Sequence, residues 1–132
     1  MQHMKPVKIF IVDDDPEELI MMKEVFAAKG IEHATYFNEA EQLLETLKLT
    51  PDQQLPDIIV SDLNMPKFSG AELISILRDN SRYDDIPIII YSTSSFSHDI
   101  EHCLKAGAYE FVVKPNVFAG YEKLADRLVL FQ

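Results

Sequence analysis

Five times along the chain, a short apolar run rich in β-branched residues is followed by a longer stretch whose apolar positions recur at helical spacing. The first run, Val7 to Val12, is nearly continuous in its apolar character, as expected of a parallel strand covered on both faces. It gives way to Asp13-Asp14-Asp15 and Pro16. Asp15 suits an N-cap, Pro16 the first helical position, and Glu18 falls at capping-box spacing. The helix that follows carries Leu19, Met22, Val25 and Phe26 on one side and stops at Gly30. A second strand is predicted over His33 to Phe37, with Asn38 as the cap of a helix whose inward stripe is Ala40, Leu43, Leu44 and Leu47. Lys48 to Pro56 reads as loop and Asp57 to Ser61 as the third strand. The turn-rich Leu63 to Gly70 precedes a helix bearing Leu73, Ile74 and Leu77. Pro87 opens a fourth strand, Ile88 to Ser92, and Ser97 is placed to cap a helix ending at Gly107. Tyr109 to Val113 is the fifth strand. Val117 to Phe131 is the last helix, with Tyr121, Leu124, Leu128 and Phe131 facing inward.

Strands alternating with helices of these lengths predict βαβ units with right-handed crossovers, hence an α/β fold with a parallel sheet. In such sheets ligands bind beyond the carboxyl ends of the strands. Polar residues do gather there: Asp13 to Asp15 after the first strand, Asp62 after the third, Ser92-Thr93-Ser94 at the fourth, and Lys114-Pro115 after the fifth.

Composition narrows this picture. The 132 residues suit one domain, 1–132, with its core at about 7–130, and 47% hydrophobic residues are enough for an ordinary core. A formal charge of -10 repels phosphate backbones, so direct nucleic-acid binding is not expected. Cys103 is the single cysteine, which excludes an internal disulfide and leaves a small buried hydrophobe as its simplest role. No run reaches the roughly 18 apolar residues of a membrane span and the N-terminal segment is polar, so a cytoplasmic location and no membrane partner are expected. Among Met21, Met22 and Met65, core filling is expected for Met22. His3, His33, His98 and His102 form no metal-ligand pattern; His98 and His102 are one helical turn apart but lack a third ligand.

Three carboxylates gathered from two strand ends repel one another and call for a counter-charge. A hard divalent cation is one remedy, because carboxylates, carbonyls and waters are what Mg²⁺ prefers. Lys114 is the other. Acidic groups, a metal and a lysine together suit a phosphoryl group, and Asp62 is placed to attack phosphorus as a carboxylate nucleophile.

The segments IFIVDDDPEEL, DIIVSDLNMPKFSG, PIIIYSTSS and AGAYEFVVKP resemble, in order, the signature segments of receiver domains of two-component response regulators. The resemblance runs from Val7 to about Leu130. It implies a flavodoxin-like (βα)5 three-layer sandwich with strand order 2-1-3-4-5. It implies Asp62 as phosphoacceptor and Asp13 and Asp14 as the acidic pair. With Asp62 and the backbone carbonyl of Asn64, that pair would hold Mg²⁺ (or Mn²⁺). Ser92 is then the switch hydroxyl, Lys114 the phosphate-binding lysine, Pro115 a cis-proline and Phe111 the aromatic that moves with phosphorylation. The implied partners are a sensor histidine kinase or histidine phosphotransfer protein as donor, and a protein target on the face formed by the fourth helix, fifth strand and fifth helix. The chain would be a monomer or a phosphorylation-linked dimer. It would act without an attached output domain, catalysing its own phosphorylation and dephosphorylation and no other reaction.

Ser69, Thr93 and Asn116 depart from the residues common in the family, at a turn, beside the switch hydroxyl and in the last loop. Two other readings fit parts of the pattern. A pseudo-receiver that only binds partners would lack one of the acidic pair, the acceptor or the lysine, and this chain keeps all of them. A metal-dependent phosphatase using Asp13 would want Thr or Val where Glu17 stands, together with a lid. Taken singly, Asp15 is a cap, Asp62 a turn residue, Lys114 a loop lysine, Ser92 a strand end and Phe111 core; their joint placement is what points to phosphoryl chemistry.

Overall fold

The structure is a computed structural model that describes residues 6–114 and 119–131. Its strands are β1 (Lys8–Val12), β2 (His33–Phe37), β3 (Ile58–Ser61), β4 (Ile88–Ser92) and β5 (Glu110–Val113). Its helices are α1 (Pro16–Ala28), α2 (Ala40–Leu49), α3 (Gly70–Arg78), α4 (Ser97–Ala106) and α5 (Ala119–Leu128). The strands form one parallel sheet in the order β2-β1-β3-β4-β5. The parallel α/β fold is the one the alternating pattern predicts, and the strand order is the flavodoxin-like one that the resemblance implies.

The near-continuous apolar strands are explained by two cores, one on each face. Ile9, Ile11, Ile58, Val60, Ile89 and Tyr91 pack with Met22, Val25 and Phe26 of α1 and Leu124 and Leu128 of α5. Their strand neighbours Phe10, Val12, Ile59, Ile88 and Ile90 point the other way, onto Leu43 and Leu47 of α2, Leu73, Ile74 and Leu77 of α3, and Cys103 of α4. Successive residues feed opposite cores because side chains alternate along a strand. Met22 lies in the core as expected, Met21 is exposed, and Met65 packs at a core margin. Burial pushes the Cys103 thiol pKa up, as suits a packing role.

Several local expectations change. Asn38 does not cap α2: Glu39 holds that position without a side-chain bond. Ser97 is the first residue of α4 rather than its cap, which is Phe96; Ser94 instead donates to Asp99 at 2.6 Å and accepts from the Phe96 amide. Lys48 to Pro56 is not all loop, since α2 runs to Leu49 and Asp52–Gln54 forms a 3₁₀ turn. This segment is ordered by Arg82, whose guanidinium donates to the carbonyls of Leu47 and Thr50 at the end of α2 and to Asp52. A long-range arginine thereby adds donors to helix-end carbonyls, of which Leu47 also accepts from the Thr50 amide at 3.2 Å. The last helix ends at Leu128 and tightens into a 3₁₀ turn over Val129–Phe131, while Val117 lies outside the described residues. Ser69 does more than occupy a turn: it caps α3 in a two-way capping box with Glu72.

Candidate functional site

Sheet register brings the polar residues together. Val12 pairs with Ser61, so Asp13 and Asp62 leave the sheet side by side, and the Asp62 amide donates to the Val12 carbonyl at 3.1 Å. Ser92 pairs with Val113, and its carbonyl accepts from the Lys114 amide at 2.7 Å. Residues far apart in sequence thus meet at one edge because parallel strands end in step.

Around Asp62 the backbone is held tightly. The buried Ser61 hydroxyl donates to the Asp62 carbonyl at 2.8 Å, and the Leu63 amide donates to Asp62 Oδ1 at 2.8 Å. The Gly70 amide donates to the Leu63 carbonyl at 2.7 Å, and a Cβ at Gly70 would lie only 2.5 Å from the Asp62 carbonyl oxygen. Glycine is needed here for close approach, so that α3 can start directly beneath the Asp62 loop. Within that loop the Phe68 amide donates to the Pro66 carbonyl across Lys67, whose φ is 68°. This is a γ-turn of the strained positive-φ kind. Lys67→Gly is therefore expected to stabilise the fold by about 0.5–1 kcal/mol in chemical denaturation. The exposed Lys67–Glu41 pair that it removes contributes little.

Asp13 (buried), Asp14 (exposed) and Asp62 (half-buried) place carboxylate oxygens within 4.8 Å of one another. This is the one grouping able to hold a metal ion among the described His, Cys, Asp and Glu residues. His98 and His102 only stack on α4, with ring centroids 6.2 Å apart. Asn64 is exposed, two residues beyond Asp62. The donor set is all oxygen and rich in charge, which fits a hard divalent cation. Electrostatics agrees, because the pocket holds more negative charge than its one lysine balances. Burial, with Asp62 and Glu18 nearby, pushes Asp13 up to about 7 against the pull of the Asp15 amide and Lys114. Burial likewise raises Asp62, opposed chiefly by Lys114.

Lys114 is almost fully enclosed, its side chain 9% exposed. Its Nζ lies 2.7 Å from Glu18 Oε1, 3.4 Å from Asp13 Oδ2 and 3.7 Å from Asp62 Oδ1. Burial alone would lower its pKa, but these three carboxylates outweigh burial and the net shift is upward, so the ammonium stays charged. The cation also stands over the Tyr91 ring at 5.5 Å. Ser92 is buried, and its Oγ accepts from the Ser94 amide at 3.2 Å, leaving the hydroxyl hydrogen for another acceptor. Thr93 beside it is exposed. Phe111 is half-buried on β5 against the α2–α3–α4 core, and Pro115 and Asn116 lie outside the described residues.

Spacing alone misassigns Glu18. The amide that Asp15 caps is that of Glu17, at 3.0 Å, while Glu18 turns to Lys114 and accepts the Tyr121 hydroxyl at 3.1 Å. The sequence does carry a signal: Glu18 lies four residues before Met22 and seven before Val25, on the buried stripe of α1. A carboxylate on such a stripe calls for a partner. The apolar pattern marks Tyr121 only as inward-facing, and Tyr91 and Ser61 only as strand residues.

Residues 9–125 match the family model for the response regulator receiver domain. The chain is similar to chemotaxis protein CheY1 of Helicobacter pylori, with 28% identity over 109 residues covering 83% of this chain and 86% of that one. It also resembles the solved structure of the phosphorylated cyanobacterial phytochrome response regulator RcpA (TM-score 0.82, 22% identity, 94% of this chain and 91% of that one). The Mn²⁺-bound form of response regulator Rcp1 is similar too (TM-score 0.78, 20% identity, 93% and 91% of the two chains).

Proposed function

Because the chain belongs to the response regulator receiver domain family, we propose that it works in phosphorelay signalling by accepting a phosphoryl group on Asp62. The observation that carries this reading is the meeting of Asp13, Asp14 and Asp62 within 4.8 Å, with Lys114 beside them. A phosphohistidine on a sensor kinase or histidine phosphotransfer protein is the donor. An Asp62 carboxylate oxygen attacks phosphorus; the new P–O bond forms as the P–N bond breaks, and the imidazole leaves with the electron pair. Lys114 contributes a fixed positive charge toward the phosphoryl oxygens, which reach the transition state carrying spread negative charge. Asp13, Asp14, Asp62 and the Asn64 carbonyl are the residues that would hold Mg²⁺ or Mn²⁺. When bound, the ion neutralises the carboxylates and the charge on those oxygens. Dephosphorylation reverses the state: water attacks phosphorus, the bond to Asp62 breaks, and inorganic phosphate leaves.

Residues 1–132 act as one signalling domain in the cytoplasm. No helix among the described residues is long and apolar enough to cross a membrane. The Ser92 hydroxyl donates to a phosphoryl oxygen once one arrives, and Phe111 follows, shifting the population of the α4-β5-α5 face. Phe96, Leu104 and Val113 on that face are exposed apolar side chains available to a protein target.

With Mg²⁺ and acetyl phosphate, the intact mass is expected to rise by one phosphoryl group, and EDTA is expected to prevent the gain. Wild-type protein that stays unmodified under the first condition would overturn the reading.

A further inference from the structure

The shortest contact of the Lys114 ammonium is not with Asp62. It is 2.7 Å from Glu18, against 3.7 Å from the acceptor, and the Tyr121 hydroxyl donates to the same Glu18 oxygen at 3.1 Å. The berth is assembled from α1, β5 and α5. Tyr91 underlies the cation, and its ring lies 6.1 Å from that of Tyr121. Glu18 is itself mostly enclosed, its side chain 14% exposed. A charge-assisted hydrogen bond needs roughly 2.7–2.9 Å between nitrogen and oxygen. The Lys114–Glu18 contact meets that length, and the Lys114–Asp62 contact does not.

Resting on the proposal that Asp62 takes a phosphoryl group, we infer that Glu18 is a positioning residue that holds Lys114 in the unphosphorylated state and competes with the phosphoryl group for it. Two effects act in the same direction. Closing the 3.7 Å gap between Lys114 and an anion on Asp62 lengthens or breaks the 2.7 Å bond to Glu18. The Glu18 carboxylate also adds a fourth negative charge to a site that must accept more negative charge. Glu18 therefore opposes phosphorylation and favours loss of the phosphoryl group. Because Tyr121 holds Glu18, transfer of Lys114 from Glu18 to the phosphoryl group changes the charge facing α5. This gives α5 a report of phosphorylation separate from Ser92 and Phe111.

The test uses beryllofluoride, a tetrahedral mimic of the phosphoryl group, titrated calorimetrically into the whole chain at saturating Mg²⁺. Glu18→Gln removes the competing charge at constant size and is expected to tighten beryllofluoride binding roughly tenfold. Glu18→Asp keeps the charge on a shorter stem and is expected to restore affinity toward the wild-type value. Tyr121→Phe frees Glu18 from its tether and should tighten binding by a smaller factor, which supplies a second reading if Glu18→Gln folds poorly. Side-chain NMR of the Lys114 ammonium supplies a signature independent of affinity. Its resonance should move on beryllofluoride binding in the wild type, and Glu18→Gln should displace it before any ligand is added. Weaker or unchanged binding in Glu18→Gln, or a Lys114 resonance indifferent to that change, overturns the inference while Asp62 remains the acceptor. Failure of the wild type to bind beryllofluoride at all overturns the phosphorylation reading, and this inference with it.

Discussion

Asp62→Asn is expected to abolish phosphoryl uptake: after incubation with Mg²⁺ and acetyl phosphate, intact-mass spectrometry should show unmodified protein alone. The amide is nearly the same size as the carboxylate and its oxygen can still accept from the Leu63 amide, which donates to Asp62 Oδ1 at 2.8 Å. The loop and the start of α3 should therefore keep their geometry. What is lost is the nucleophile, since a neutral amide oxygen does not form a stable acyl phosphate. Folding should not suffer, because burial raises the Asp62 pKa and so works against its charged form. A variant that folds normally and gains no mass separates loss of chemistry from loss of structure. An undiminished gain would place the acceptor elsewhere and sink the assignment.

Asp13→Asn is expected to make the metal-free protein more stable at neutral pH and to remove its stabilisation by Mg²⁺. The carboxyl shifts from 3.8 in an unfolded chain to about 7 in the fold. Between those values the folded state keeps a proton that the unfolded state has released. Wild-type stability therefore falls, relative to the variant, as pH rises through that window. Below about 4 both states are protonated and the two proteins should differ little; above about 7 the full difference is present. Its size is expected to be about 1–3 kcal/mol, read as roughly 3–10 °C in thermal unfolding with EDTA present. Adding Mg²⁺ should raise the wild-type midpoint and leave the variant nearly unmoved. A bound divalent cation offsets the cost of a buried negative charge, set first by burial and then by Asp62 and Glu18, that the variant no longer carries. A variant less stable than the wild type throughout the pH range would contradict this account of the acidic pocket.

These two aspartates are legible in the sequence because their signal is chemical and local: carboxylates directly after apolar strands, where a buried sheet has no other use for them. Lys114 is legible for the same reason. Glu18 shows the limit of such reading. Its spacing from Asp15 is that of a capping box, and sequence alone does not choose between a local amide and a distant ammonium. The choice falls to Lys114 because its side chain, just past the end of β5, reaches Glu18 of α1 in the folded chain, and an enclosed cation needs anions more than an exposed helix end needs a second cap. Arg82 makes the same point for stability. Nothing near it in sequence suggests that it closes the end of α2, 32 residues earlier at Thr50.

The chain's pattern of apolar positions determined the order of strands and helices, and with it the edge of the sheet where chemistry could gather. Period-two and period-3.6 burial are properties of the backbone itself, so they can be read residue by residue. The tertiary structure alone decided which charges meet, how far each is removed from water and which carboxylate holds the lysine. Those outcomes depend on distances of a few ångströms between elements that the sequence keeps up to 103 residues apart.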